Sequence, residues 1–222
     1  MDKIKLGVLV GGTSIEREVS KKSCENLLAN LDENKYDITV YHLPADGNTE
    51  WAKNIISNPP QIVLSALHGG NGENGSIQGF LHCLNIPYIG SKVLSSAICM
   101  NKAMAKTVMK ANHIQVPDHV FVMRGVDFSQ YEESIKLMGF PLIVKPNRGG
   151  SSIGVIVARN MEDIHYGIKN IMETYDDDVL IEKFIDGKEI NCCVLQGENG
   201  PEAMAVLDVK KAGSVFVYDD KY

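Results

Sequence analysis

Apolar positions along this chain follow two alternating rhythms. Ile4–Val10 is a short, almost unbroken apolar run, the pattern of a strand covered on both faces. Ile15, Val19, Leu27 and Leu31 then recur at multiples of four, which puts them on one helical stripe. Asp37–Leu43 and Gln61–Leu67 read as further strands, Ser76–Leu84 as a helix and Pro87–Ile89 as a short strand. Strands alternating with helices predict an α/β fold, and this first block, to about residue 95, predicts an open parallel sheet.

A middle helix is predicted through Leu94, Ala97, Ile98, Asn101, Met104, Ala105 and Val108, which share one face. Val116–Pro117 ends it, and His119–Met123 reads as a strand. Phe140–Lys145 and Ile153–Ala158 are two apolar runs joined by the seven residues Pro146–Ser152. That link is too short for a helical crossover, so the pair is predicted to be an antiparallel hairpin. Asn160 can cap a helix through Ile164, Ile168, Ile171 and Tyr175. Val179–Ile185, Ile190–Leu195 and Ala203–Lys210 read as strands, and the chain stops at Tyr222 in a polar stretch. The domain boundaries expected are 1–95, 96–178 and 179–222.

Composition narrows the function classes. With 222 residues, 44% apolar and 23% charged, the chain is globular and not disordered. Its 22 Lys and Arg against 28 Asp and Glu give a net charge of −6, which disfavours a general nucleic-acid binder. No apolar run approaches the roughly 20 residues that cross a bilayer, so no membrane role is expected. Ile4–Val10 ends in Gly-Gly and a charged stretch, which favours a first strand over a signal peptide. Five cysteines form no CxxC pair, which fits a reducing cytoplasm, and Cys192–Cys193 is expected to be a buried, inert pair.

Four stretches carry candidate chemistry. Gly11-Gly12-Thr13-Ser14-Ile15-Glu16-Arg17 lies between the first strand and helix, where open α/β sheets bind ligands. Thr13-x-x-Glu16 also fits a capping box, so spacing alone leaves Glu16 as ligand or cap. His68-Gly69-Gly70-Asn71-Gly72-Glu73-Asn74-Gly75 reads as a compact turn that lets backbone approach a ligand, with His68 and Glu73 as a titratable edge. An ordinary glycine-rich loop has the same pattern. Lys145, at a strand end beside the tip Gly149-Gly150-Ser151-Ser152, suits polyphosphate chemistry on a mobile flap, although a plain hairpin shares the pattern. Glu182-Lys183-Phe184-Ile185 suits an adenine edge against an apolar wall, and Glu189 suits two ribose hydroxyls; a strand of mixed charge looks alike. Lys102 adds a phosphate contact or, with Lys106 and Lys110, forms a solvated face.

In this order and spacing the chain resembles the D-alanine–D-alanine ligases of the ATP-grasp superfamily. GGTSIEREVS, ALHGGNGENGSIQG, IPYIGS, FPLIVKPNRGGSSIGV, VLIEKFIDGKE and the terminal DKY carry the resemblance over essentially the whole chain. It implies an N-terminal Rossmann-like, pre-ATP-grasp parallel-sheet domain followed by a partial α+β ATP-grasp domain. It also implies that ATP converts the carboxylate of one D-alanine into an acyl phosphate, which the amine of a second D-alanine attacks.

The resemblance assigns site residues as well. Glu16 would hold the first D-alanine's ammonium, with Ser151 and Tyr222 completing a catalytic group. His68 and Glu73 would flank that substrate. Lys102, Lys145, Ser151 and Lys221 would meet phosphates; Glu182, Lys183, Phe184 and Ile185 would frame adenine, and Glu189 the ribose. ATP and Mg²⁺ are the implied cofactors, with the metal carboxylates expected in a further third of the family's length that does not occur before Tyr222. The 222 residues alone are therefore expected to be inactive, and no residue present is assigned to metal. Glu189-x-Asn191 copies the family's metal motif but falls at the ribose position. Asn74 and Gly149 replace an aspartate and a glutamate usual in the family motifs.

The family resemblance further implies a cytoplasmic enzyme of peptidoglycan precursor synthesis, and a homodimer through the N-terminal domain. The alternatives are ligation of D-alanine to D-serine or D-lactate, although the DKY context of Tyr222 favours an amine acceptor. A non-catalytic fragment that binds nucleotide or D-alanine is the alternative of a different class.

Overall fold

A computed structural model of the chain describes residues 2–209. Lys221, Tyr222 and the last residue of the predicted strand 203–210 lie outside the described residues. The fold is mixed α/β, with two compact units: Met1–Val116 with Asn147–Gly150, and Pro117–Pro146 with the chain from Ser151 onward.

In the first unit, β1 (Ile4–Gly11) lies between β2 (Tyr36–Leu43) and β3 (Ile62–Ser65), parallel to both. β1 is buried from both sides, as its unbroken apolar run requires. Leu6, Val8 and Val10 pack with Cys24, Leu27 and Leu28 of α1 (Arg17–Asn30). Leu9 faces the other way, into a cluster with Tyr41, Leu43, Val63 and Leu67. That cluster is closed by Ile55 of α2 (Glu50–Ser57) and by Ile77 and Leu81 of α4 (Ser76–Cys83). The predicted strand Pro87–Ile89 is reduced to a single parallel bridge, Val63 to Tyr88, edged by two backbone hydrogen bonds.

Three expectations for this unit need correction. α1 begins at Arg17, so Ile15 is no part of its stripe and is 65% exposed. The glycine-rich turn after β3 contains a one-turn helix, α3 (Gly70–Glu73). The middle helix is two helices, α5 (Val93–Met100) and α6 (Lys102–Ala111), parted at Asn101. Asn101 adopts extended backbone and its side chain accepts from the Met104 N–H, so it starts a new helix where the apolar period alone read through. α2 escaped the reading because two apolar contacts, Trp51 and Ile55, make a short signal inside a polar, proline-flanked stretch.

The second unit holds an antiparallel sheet ordered β4 (His119–Val122), β7 (Val179–Lys183), β5 (Leu142–Pro146) and β6 (Ile156–Ala158). β5 and β6 form the expected antiparallel pair. β7 is flanked on both sides, by β4 and by β5. Helix α8 (Met161–Thr174) starts at Asn160, whose side chain accepts from the Asp163 N–H. Its Ile164, Ile168 and Ile171 pack on Leu142, Val144, Val179 and Ile181, with Ile135 of α7 (Glu132–Met138) completing the core. α7 and the 3₁₀ turn Phe128–Tyr131 before it were not foreseen.

β8 (Glu189–Gly197) and β9 (Gly200–Val209) form a separate two-stranded sheet. Ile190, Val194, Leu195, Val206 and Leu207 on it are all more than half exposed. Cys192 and Cys193 are exposed too, against expectation, because among the described residues no layer packs on this hairpin. The buried thiol is Cys24, and burial raises its pKa above the usual thiol value.

Ile164 is fully buried whereas Leu137 on α7 is 81% exposed. Ile164→Ala is expected to cost about 2–5 kcal/mol in urea unfolding, and Leu137→Ala less than about 0.5 kcal/mol.

Candidate active site

In the first unit the loops at the carboxyl ends of β1 and β3 converge, as in other open α/β sheets. Ser20 of α1 is fully buried and its Oγ accepts the Gly11 N–H at 2.8 Å, tying the end of β1 to the helix that follows it. Ser14 caps the turn: its Oγ accepts from the Glu16 N–H at 3.1 Å and its carbonyl from the Arg17 N–H. Glu16 therefore occupies the residue before α1, and its side chain makes no capping hydrogen bond. The capping box is not formed, because Thr13 lies too far before the first helical residue.

Glu16 is instead only 6% exposed, an uncommon burial for a carboxylate. Its Oε2 lies where a Cβ on Gly69 would approach to 2.5 Å and one on Gly150 to 3.2 Å. Gly69 has φ +63°, a conformation that a side chain would strain. Two glycines, from the His68 loop and from the Gly149-Gly150 tip, thus leave room for this one carboxylate.

The tip itself is anchored to α6. The Lys102 N–H donates to the carbonyl of Asn147, and the Ala103 N–H donates to the Asn147 side-chain oxygen at 2.9 Å. With Asn101 receiving Met104, the first turn of α6 has its free N–H groups matched. The Lys102 ammonium, expected at phosphates, donates here to the carbonyls of Gly149 and Asn147. Asn147 is fully buried, and its Nδ2 makes no hydrogen bond among the described residues.

Two cavities adjoin these groups. One of about 130 Å³ is bordered by Gly12, Thr13, Ser14, His68 and Gly69, over Leu43, Leu67 and Trp51. The other, of about 440 Å³, is bordered by Glu73, Gln78, Lys102, Gly149 and Gly150. His68 stands at the edge of the first, with Nε2 at 2.8 Å from Ser23 Oγ and Nδ1 at 3.8 Å from Glu73 Oε1.

The second unit brings together residues foreseen separately. Leu142 and Val144 of β5, like Val179 and Ile181 of β7, face α8, so Lys145 and Glu182 lie on the opposite face. The register sets Ile143 opposite Glu182 and Lys145 opposite Leu180, which makes Lys145 and Glu182 diagonal neighbours. They form an ion pair, with side chains 20% and 10% exposed. Phe184 is half-buried, and Lys183 and Ile185 are exposed. Glu189 opens β8 and is half-buried. Ser151 and Ser152 both adopt positive φ, +49° and +58°. Among the described residues no group of three or more His, Cys, Asp or Glu side chains could hold a metal ion.

Residues 108–222 match the family model described as the D-ala D-ala ligase C-terminus, and residues 49–91 match the D-ala D-ala ligase N-terminus. The chain is 39% identical over 220 residues to the D-alanine--D-alanine ligase of Bacillus anthracis, covering 99% of this chain and 68% of that protein. The crystal structure of D-alanine--D-alanine ligase from Bacillus anthracis complexed with ATP superposes with a TM-score of 0.80 at 35% identity, over 94% of this chain and 67% of that one. The VanG D-Ala:D-Ser ligase from Enterococcus faecalis superposes with a TM-score of 0.81 at 27% identity, over 100% of this chain and 74% of that one.

Gly69→Ala forces a methyl against the Glu16 carboxylate at a positive φ, and is expected to destabilise the fold by about 1–3 kcal/mol. Gly79→Ala, in α4 with nothing within 4 Å, is expected to stabilise by roughly 0.5–1 kcal/mol, both read from urea midpoints.

Proposed function

The chain belongs to the D-alanine–D-alanine ligase family, and from that premise we propose ATP-dependent ligation of two D-alanines to D-alanyl-D-alanine, for peptidoglycan precursor synthesis. The observation that carries this reading is the convergence, in one unit, of Glu16, His68 and the Lys102-bound segment Asn147–Gly150. The family match supplies the chemistry that such an arrangement serves.

A carboxylate is a poor electrophile until one oxygen becomes a leaving group. Transfer of the ATP γ-phosphoryl to the first D-alanine gives an acyl phosphate. The amine of the second D-alanine adds to that carbonyl, and phosphate departs from the tetrahedral intermediate with the C–O electron pair. The buried Glu16 carboxylate is suited to the ammonium of the first D-alanine, an ion pair strengthened away from water. His68, with Glu73 beside it, is suited to that substrate's carboxylate.

Lys102 and Lys145 supply positive charge for the phosphates. In doing so each exchanges a partner seen here, loop carbonyls for Lys102 and Glu182 for Lys145. Glu182, Lys183, Phe184 and Ile185 would line the adenine, Glu189 the ribose, and Ser151 the flap over the phosphates. Tyr222 and Lys221 belong to the same proposal, as partner of Glu16 and as phosphate contact.

Mg²⁺ would neutralise the β- and γ-phosphates when bound. The described residues offer it no ligand cluster, so none is assigned to it and no step above is routed through it. A cytoplasmic setting and a homodimer through the N-terminal unit complete the proposal; no described helix is long and apolar enough to cross a membrane. The likeness to a D-Ala:D-Ser ligase favours D-serine as the alternative acceptor.

The test follows ADP release with and without D-alanine, on the 222 residues and on a form extended past Tyr222 by the remaining residues of the Bacillus anthracis relative. D-alanine-dependent ADP release by the extended form, with D-alanyl-D-alanine as product, is expected. ADP release indifferent to D-alanine would overturn the reading, and a mixed product with added D-serine would select the alternative acceptor.

In that form Glu16→Gln is expected to raise KM for the first D-alanine about tenfold or more, since a charge-assisted contact becomes a neutral one. Lys145→Ala is expected to lower kcat/KM for ATP roughly a hundredfold.

A further inference from the structure

Ser23 lies three residues beyond the GGTSIEREVS stretch and outside the other family motifs. It sits on α1, seven residues beyond Glu16. Its Oγ lies 2.8 Å from Nε2 of His68, a hydrogen bond between residues 45 apart in sequence.

His68 needs such a partner. β3 ends at Ser65 and α3 begins at Gly70, so His68 belongs to no strand or helix. The two residues after it, Gly69 and Gly70, both have positive φ. The backbone there follows the turn, and the ring orientation depends on what the imidazole touches. A serine on a regular helix is a stiff anchor, because its hydroxyl oxygen has only three staggered positions.

The other ring nitrogen, Nδ1, faces Glu73 Oε1 at 3.8 Å. That is too long for a hydrogen bond, but the nearby carboxylate favours a proton on Nδ1 over one on Nε2. Nε2 is then the lone-pair nitrogen, and the Ser23 O–H donates to it.

We propose that Ser23 is a positioning residue for the first D-alanine: its hydroxyl fixes His68 in the Nδ1–H tautomer and aims that N–H at the substrate carboxylate. The substrate half of this statement rests on the ligase reading given above. The hydrogen-bond half rests on the 2.8 Å Ser23–His68 contact and on the Glu73 carboxylate beside Nδ1. Ser23 touches no reacting atom; it acts through the imidazole.

The experiment is ¹⁵N NMR of the histidine rings in the 222-residue chain, at a pH where the rings are neutral. The signals of His68 among the six histidines are assigned by their loss in His68→Gln. Wild type is expected to show a pyrrole-like Nδ1 and a pyridine-like Nε2. Ser23→Ala should average the two shifts as the tautomers interconvert, and Ser23→Thr, which keeps the hydroxyl, should restore them. Titration with D-alanine should move the wild-type His68 signals, with apparent affinity weakened about tenfold in Ser23→Ala and retained in Ser23→Thr.

A fixed Nε2–H tautomer in wild type, or ring shifts unchanged by Ser23→Ala, overturns the positioning role. A fixed Nδ1–H tautomer that D-alanine leaves unmoved overturns the substrate assignment instead, and with it the ligase reading of His68. Thermal melts of both serine variants separate these results from unfolding, since a folded Ser23→Thr carries the comparison even where Ser23→Ala is weakened.

Discussion

A carboxylate as deeply buried as Glu16 leaves little room for side chains on the loops that close over it. Gly69 and Gly150 meet that requirement from two loops far apart in sequence, and any Cβ at either position would press on the carboxylate oxygens. Several contacts in the first unit support the convergence. β1 is packed on both faces, so its end is rigid. Ser20 and Ser14 then fix the turn that lifts Glu16 out of the helix. α6 holds the Asn147–Gly149 segment through first-turn N–H groups that have no partner within the helix, and through the Lys102 ammonium. Two loops thus bring glycine backbone close to one buried carboxylate.

The second unit solves a related problem by parity. Alternate residues of β5 and β7 face opposite sides of the sheet, so the core under α8 and the Lys145–Glu182 pair never compete for space. A shift of one residue in the β5–β7 register would drive the ammonium toward Ile164 and Ile171, where an unsolvated charge is intolerable. The apolar core therefore protects the register, and the register delivers the charges to the same face. The ion pair itself is weak evidence for stability, since removing both charges from water offsets much of their attraction. In the proposed function it would hold a lysine ready for phosphate, only 20% exposed.

The alternation of β1, β2 and α1, the β5–β6 hairpin and the Asn160-capped α8 were legible from apolar period and cap chemistry, because each is decided within a few residues. The family motifs made Glu16, His68, Lys102 and Lys145 legible as candidates. Short elements were not: α2, α3 and α7 offer at most two turns of pattern, and the break at Asn101 lies in an asparagine that caps a helix while the apolar period runs on.

Contacts between distant segments lie beyond any local pattern. The choice between capping and burial for Glu16 depends on where Gly69 and Gly150 come to rest. The Ser23–His68 bond depends on how α1 lies against the loop after β3, and the Lys145–Glu182 pair on register. Sequence alone thus determined which residue types stood ready, since period, caps and turn glycines act over a few bonds. Tertiary structure decided which of them meet, because a contact between residues tens of positions apart exists only once the sheets have chosen their partners.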